Sequence, residues 1–241
     1  MRVAIVGRNL NDLRGILKQF PFDVVTDNPD VVISYGGDGA LLGAERDFPG
    51  IPKCPVRDST SNTKCSKHAE ERILQMLADG DLSESRLVKL EGSTPDGPVV
   101  AGINDVVVSK QIISSAVRYR LWLNGELYIN QIVGDGLIVA TPFGSSGYYR
   151  SITHSTFWVG IGLAFNNSTE PLDHLVVATD TVIKIEIIRG PAVLLADNNP
   201  LRVPLSHRDV VTVKSTEHET IVLGLDLFRC QDCYLRRQQE V

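Results

Sequence analysis

The chain has 241 residues, of which 43% are hydrophobic, 22% charged and 6% aromatic, enough to bury roughly 70–75% of the unfolded surface in one large domain or two modest ones. Its 24 Lys+Arg against 29 Asp+Glu leave a net charge of −5; that field repels polyanions and no basic stripe offsets it, so no nucleic-acid partner is expected. The apolar runs fall far short of the ~20 residues of a membrane helix, and Met1-Arg2-Val3-Ala4-Ile5-Val6-Gly7 is too short and strand-like for a signal peptide. The expectation is a cytoplasmic protein with no membrane partner.

In chain order, residues 2–6 read as a buried strand, followed by a helix with Leu10, Leu13, Leu17 and Phe20 on one face. Val31-Val32-Ile33-Ser34 is a second buried strand that runs into Gly36-Gly37-Asp38-Gly39, with a helix expected from Ala40. A third helix is expected over 68–78, with Ile73, Leu74 and Leu77 inward and Gly80 closing it. Strands separated by helices imply a parallel sheet with crossovers. The turn-rich stretch 91–98 marks a linker. Beyond it, 99–108, 117–123, 126–133, 137–140, 181–188, 210–213 and 221–225 read as strands, with Asn124-Gly125 as a hairpin turn. Ile183, Ile185 and Ile187 alternate with Lys184 and Glu186, which gives that strand one wet face. The segment 226–241 reads as a short polar helix.

Four cysteines are too few for a secreted disulfide scaffold. Cys230 and Cys233 have metal-ligand or redox spacing, but Cys54 and Cys65 do not form a second such pair. The four are ordinary thiols, or they meet at a zinc or disulfide site that brings the C-terminus back to the N-terminal region.

Three stretches can carry chemistry. In Tyr35-Gly36-Gly37-Asp38-Gly39 a buried strand ends, glycines allow close approach of a ligand, and a helix begins with its free N–H groups and positive dipole end. That suits phosphate. An Asp in such a loop accepts a proton, helps to bind a metal, or simply caps the helix. Gly134 to Tyr148 leads a hydrophobic strand, Asp135-Gly136-Leu137-Ile138-Val139-Ala140, into Thr141-Pro142-Phe143-Gly144-Ser145-Ser146-Gly147-Tyr148. Its hydroxyls can bond a polar ligand and its tyrosine can stack on a base; its glycines are too close together for a nucleophile elbow, which disfavours a Ser-His-Asp hydrolase. In the third, Asn104-Asp105 interrupts an apolar run and needs solvent, a structural hydrogen bond or a ligand.

In this order the three stretches resemble those of the ATP-dependent NAD kinases: a GGDGT loop, an Asn-Glu pair opening a strand, and a DG-strand-TPTGSTAY segment. The resemblance runs from Val31 to about Val213. It implies an α/β N-terminal domain with a parallel sheet (1–90, nucleotide-binding), a β-rich, sandwich-like C-terminal domain (91–225, substrate-binding), and a tail, 226–241, that returns to the first. It further implies transfer of a phosphoryl group from MgATP, or polyphosphate, to the 2′-hydroxyl of the adenosine ribose of NAD. Asp38 would be the base or orient the hydroxyl and metal, and Gly36, Gly37 and Gly39 would leave room for phosphates. Asn104 and Asp105 would hold ribose hydroxyls or the adenine edge, and Ser146, Gly147 and Tyr148 the adenine. Asp135 would reach the nicotinamide end, in this family often from a neighbouring subunit, which implies a homodimer or homotetramer. Mg²⁺ would come with ATP.

The chain also departs from the pattern. Ala40 replaces Thr, Asp105 the longer Glu, and Phe143 and Gly147 the middle Thr and the Ala of TPTGSTAY. Asn198 replaces the Gly of a late Asp-Gly turn after Asp197. The family's Asn-x-Gly-x-Leu-Gly-Phe segment is missing from 52–65, and no Ser-Ala-Gly-Gly follows Tyr148; His154 there reads as a surface or packing residue. Arg57, Lys64 and Lys67 form a phosphate patch or ordinary surface charge. Two alternatives therefore stand beside NAD kinase: a kinase of the same fold with another hydroxyl acceptor, and a weakly catalytic nucleotide sensor.

Overall fold

The computed structural model describes residues 1–58 and 68–230. They form two compact units, Met1–Leu87 with the segment from Glu219, and Val88–His218. The first unit carries strands β1 (Arg2–Gly7), β2 (Asp23–Val24), β3 (Val31–Tyr35), β4 (Lys53–Val56) and β5 (Glu84–Leu87) and the last described strand, β18 (Thr220–Leu223). Their order is β2-β1-β3-β4-β18-β5, parallel from β2 to β18 with β5 antiparallel at the edge. Helices α1 (Leu10–Leu17) and α3 (Glu70–Asp79) cover one face, burying Leu13, Leu17, Ile73, Leu74 and Leu77 against Val3, Ile33, Tyr35 and Val56. Helix α2 (Asp38–Asp47) brings Ala44 to Ala4 and Val32 on the other. Helices on both faces of a parallel sheet are what strand–helix alternation demands.

Strand β4 was not legible because Lys53 reads as surface. Its side chain is fully buried, ion-paired with the buried Glu45 and donating to the Phe48 carbonyl at 2.7 Å; a buried ion needs such partners. Strand β18 falls in the range the sequence assigned to the second domain, yet it pairs with β4 and β5. The short helix α5 (Leu225–Phe228) follows it, and residues 231–241, the rest of the expected tail helix, lie outside the described residues.

The second unit is an antiparallel sandwich. One sheet has the order β10-β9-β14-β17-β6-β7, from β6 (Leu90–Ser93), β7 (Val100–Gly102), β9 (Val117–Leu123), β10 (Glu126–Gly134), β14 (Ile183–Arg189) and β17 (Val210–Ser215). The other has the order β13-β12-β11-β8-β15-β16, from β8 (Asp105–Lys110), β11 (Gly136–Ala140), β12 (Ile161–Asn166), β13 (His174–Val177), β15 (Ala192–Ala196) and β16 (Val203–Leu205). Tyr119, Leu121, Ile183, Ile185 and Val211 of the first sheet share one core with Val106, Val108, Leu137, Val139 and Leu194 of the second. Glycine 92, expected in a linker, is paired within β6, so the turn is confined to Thr94-Pro95-Asp96-Gly97. Asn124-Gly125 turns β9 into β10 with both residues at positive φ, as expected. Helix α4 (Tyr148–Thr153) lays Tyr149 on the outer face of the second sheet, against Val107, Ile138 and Ala164.

Candidate functional site

Parallel pairing of β1, β3 and β4 brings their carboxyl ends side by side, Gly7 opposite Tyr35 and Tyr35 opposite Val56. In open α/β sheets that edge is where ligands bind. Gly36 leaves β3 at φ +139°, with its N–H on the Val56 carbonyl at 2.8 Å. Gly37 is the N-cap of α2 and makes no side-chain capping bond, and Asp38 already lies in the first helical turn. The capping role weighed for Asp38 is therefore not the one it has. Its side chain is half exposed, with the Arg229 guanidinium 3.6 Å away. Asn9 donates to the buried Asp58 at 2.8 Å across the same edge.

Arg57 does not stand ready as a surface phosphate ligand. It donates to the Phe228 carbonyl at 2.8 Å and lies 4.3 Å over the Phe228 ring, which ties α5 to the end of β4. Lys64 and Lys67 lie outside the described residues. Arg229, which α5 delivers to Asp38, had no signal beyond being one arginine in a polar tail.

In the second unit the expected strand 99–108 breaks at Ile103-Asn104. Asp197 makes the break. Its carboxylate accepts the backbone N–H groups of Ile103 at 2.9 Å, Asn104 at 2.8 Å and Asp105 at 3.1 Å. Thr141 pins the bend from the other side, donating its hydroxyl to the Ile103 carbonyl and its N–H to the Asn104 carbonyl at 2.9 Å. The same hydroxyl accepts the Gly144 N–H at 3.0 Å. The bend and the 141–148 segment are thus one construction. The Asn104 Oδ1 is buried and has no hydrogen-bond partner among the described residues, an arrangement that costs about 1–3 kcal/mol unless a ligand donor meets it. Ser146, Gly147 and Tyr148 are exposed on the same turn, while Tyr149 beside them is buried.

Asp135 is held by Lys110 at 2.7 Å and by the Asn167 amide at 2.8 Å, and these contacts, Lys110 first, keep its carboxyl below the usual range. Tyr148 accepts from the Asn166 amide at 2.9 Å; burial raises its phenol, and the charges of Asp135 and Asp105 add to that. Asn166 and Asn167 were missed because β12, which ends at Asn166, was not read as a strand, and Lys110 because β8 runs two residues past the expected strand end at 108.

Burial pushes the Asp105 carboxyl up to about 7, with the Asp197 charge adding to the effect. Its contribution to stability is then fully present below its ordinary 3.8 and is lost as the pH rises through about 7. Asp105→Asn, which cannot ionise, is expected to melt at a higher temperature than the parent at pH 8 and at nearly the same temperature at pH 4. A parent that is the more stable at pH 8 would contradict this.

Of the four cysteines, Cys54 sits in β4 with its thiol pushed up to about 12 by burial, an environment that opposes the thiolate a zinc ligand must be. Cys230 is buried, and Cys65 and Cys233 lie outside the described residues.

Residues 103–224 match the family described as ATP-NAD kinase C-terminal domain. The chain belongs to the NAD kinase family. It is 34% identical over 184 residues to the NAD kinase of Gemmatimonas aurantiaca, covering 70% of this chain and 63% of that one. Against the NAD kinase of Brucella suis it is 25% identical over 218 residues, covering 84% and 82%. The fold matches yeast NADH kinase complexed with NADH at a TM-score of 0.82 and 15% identity, covering 100% of this chain and 87% of the other. An NAD kinase from Archaeoglobus fulgidus in complex with ATP matches at 0.75 and 21%, covering 98% and 99%. The two-domain NAD kinase fold expected from the three stretches is the fold observed. The family's usual Thr is replaced by Ala40 in the first turn of α2, and half of the stretch 52–65, from which its closing segment is missing, lies outside the described residues.

Proposed function

We propose that this chain is an ATP-dependent NAD kinase that phosphorylates the 2′-hydroxyl of the adenosine ribose. The observation that carries the reading is the tied bend at Asn104-Asp105, with the Asn104 Oδ1 buried and unpartnered beside an exposed tyrosine. An acceptor so placed suits the exocyclic amine of adenine, and Tyr148 offers a ring on which the base stacks. The Asp105 carboxylate suits a pair of ribose hydroxyls, and Asp135 the nicotinamide end. In the first unit, the N-terminus of α2 and Gly36, Gly37 and Gly39 receive phosphate.

Phosphoryl transfer needs positioning and charge neutralisation more than covalent help. Asp38 takes the proton as the 2′-oxygen forms its bond to the γ-phosphorus. The bond from that phosphorus to the bridging oxygen breaks, ADP leaves, and NADP is formed. Among the described residues no three His, Cys, Asp or Glu side chains gather to hold a metal; this donor set fits a magnesium ion carried on the oxygens of ATP, with Asp38 the acidic residue at the helix end. When bound, the ion neutralises charge on the transferring group.

We place the protein in the cytoplasm, with its two substrates, and propose a homodimer or homotetramer. Trp158 is 87% exposed and Val159 79% exposed beside the edge strand β13, where Val176 is also exposed, a surface suited to a second copy. Light scattering that returns a monomer would remove the oligomer from the proposal.

The central test couples NADP⁺ formation to an NADP-specific dehydrogenase. Product that requires both MgATP and NAD⁺ is expected. No product at high enzyme concentration, with NAD⁺ still bound, would replace the kinase with a sensor. ATP turnover stimulated by another hydroxyl compound, without NAD⁺ binding, would replace the acceptor.

A further inference from the structure

Asp197 has no role in the reaction as described, yet it is the most heavily engaged carboxylate in the second unit. It follows the last residue of β15 at φ +47°, and its own N–H donates to the Asp105 carbonyl at 3.0 Å. With the three N–H groups of residues 103–105 on its carboxylate, it closes a reciprocal clasp between chain segments more than ninety positions apart. The clasp requires glycine at 102, where a Cβ would lie 2.3 Å from the Asp197 Oδ1. Successive backbone N–H groups converging on one oxygen pair form an anion nest, here filled by the protein itself.

We propose that Asp197 is a positioning residue for NAD: its carboxylate ties down the bend that presents Asn104 and Asp105 to the dinucleotide. The proposal rests on the NAD kinase reading above. It makes a second demand, because the same charge faces Asp105. Burial raises the Asp197 carboxyl, and its three N–H donors oppose that rise; burial and the Asp197 charge push Asp105 up to about 7, so Asp105 is the member of the pair that holds a proton into that range. The other groups around them are few. Tyr148 from α4 lies in the field of Asp105, and Lys89, ahead of β6, favours the charge on Asp197. Ala140 of β11, opposite Asp105, and Thr141 after it do not titrate. Only ionised Asp105 accepts from two ribose hydroxyls, so NAD⁺ binding is expected to weaken as the pH falls through about 7.

The test is NAD⁺ affinity by calorimetry from pH 5.5 to 8.5, with NADP⁺ formation measured alongside. In Asp197→Asn the amide turns an N–H toward one of the three donors, and the charge is lost. Affinity at pH 8 should fall about tenfold, the size of one charge-assisted hydrogen bond, and the acid limb should move about one pH unit lower. Asp197→Glu keeps the charge and spoils the reach, so affinity should fall while the limb stays in place. It carries the test if the asparagine variant does not fold. A merely structural residue would shift neither limb. Wild-type affinity and an unmoved limb in Asp197→Asn, with parent activity intact, would overturn the proposal and leave the kinase reading standing. A parent that neither binds nor phosphorylates NAD⁺ would overturn both.

Discussion

Asp38→Asn should lower kcat for NADP⁺ formation by about 10²–10⁴-fold, the usual contribution of a positioned general base, while leaving NAD⁺ and ATP affinities within a few-fold of the parent. The amide matches the carboxylate in shape but cannot take the 2′-hydroxyl proton. Little else should change, because Asp38 makes no capping bond and its side chain is 49% exposed. Its contact with Arg229 at 3.6 Å is a partly exposed ion pair worth about 0–1 kcal/mol. Melting temperature therefore separates the two roles the residue could have. An unchanged melt with a lost rate assigns it to the chemistry. A rate near the parent value would remove Asp38 from the reaction and return the loop to phosphate binding alone. Arg229→Ala makes a further distinction: if the guanidinium orients the carboxylate, kcat falls by less than in Asp38→Asn and KM for NAD⁺ barely moves.

The parts of the site that were legible in the sequence are local. Strand β3 followed by Gly36-Gly37-Asp38-Gly39 announces itself because a buried β run, glycines and a helix start lie within ten residues. Thr141-Pro142 and Gly144 to Tyr148 are likewise contiguous. What stayed hidden is non-local. Asp197 and the bend it ties are separated by 92–94 positions, and nothing short-range in Leu195-Ala196-Asp197-Asn198 points to residues 103–105. Lys110 and Asn167 reach Asp135 only because β8, β11 and β12 are neighbours. Lys53 shows the same limit in the core: a charge that would read as solvent-facing is buried against Glu45 because α2 packs over β4.

The net charge of −5 also gains a more specific meaning. Arg57 is occupied by Phe228, and Lys110 by Asp135. These basic groups near the candidate residues are committed to holding the protein's own parts. In the proposed reading, phosphate is met by backbone N–H groups, the α2 dipole and an ion brought with the nucleotide, a division that backbone geometry supports without a basic surface.

That reliance on backbone makes Gly144 a vulnerable position in the second unit. A Cβ there would stand 2.0 Å from the Asn104 carbonyl oxygen, 2.5 Å from its carbon and 2.7 Å from its Cα. All three are main-chain atoms, already fixed by Asp197 on one side and Thr141 on the other, so no side-chain rotation can relieve the clash. Gly144→Ala should lose about 3 kcal/mol or more, beyond the usual cost of an added methyl group, and should lose NAD⁺ binding even where the protein still folds, because relief requires the bend to move. Gly147→Ala provides the contrast three residues on. Its nearest contact would be the Gly144 carbonyl at 3.3 Å, its φ of −95° lies outside the left-handed region, and alanine is the family's usual residue at that place. It should cost about 1 kcal/mol or less. Urea midpoints of the two variants give the comparison directly. Equal losses would mean that the turn yields as a whole and that the clasp around Asn104 is looser than its hydrogen bonds indicate; a selective loss at Gly144 would mean that the bend is rigid before any ligand arrives.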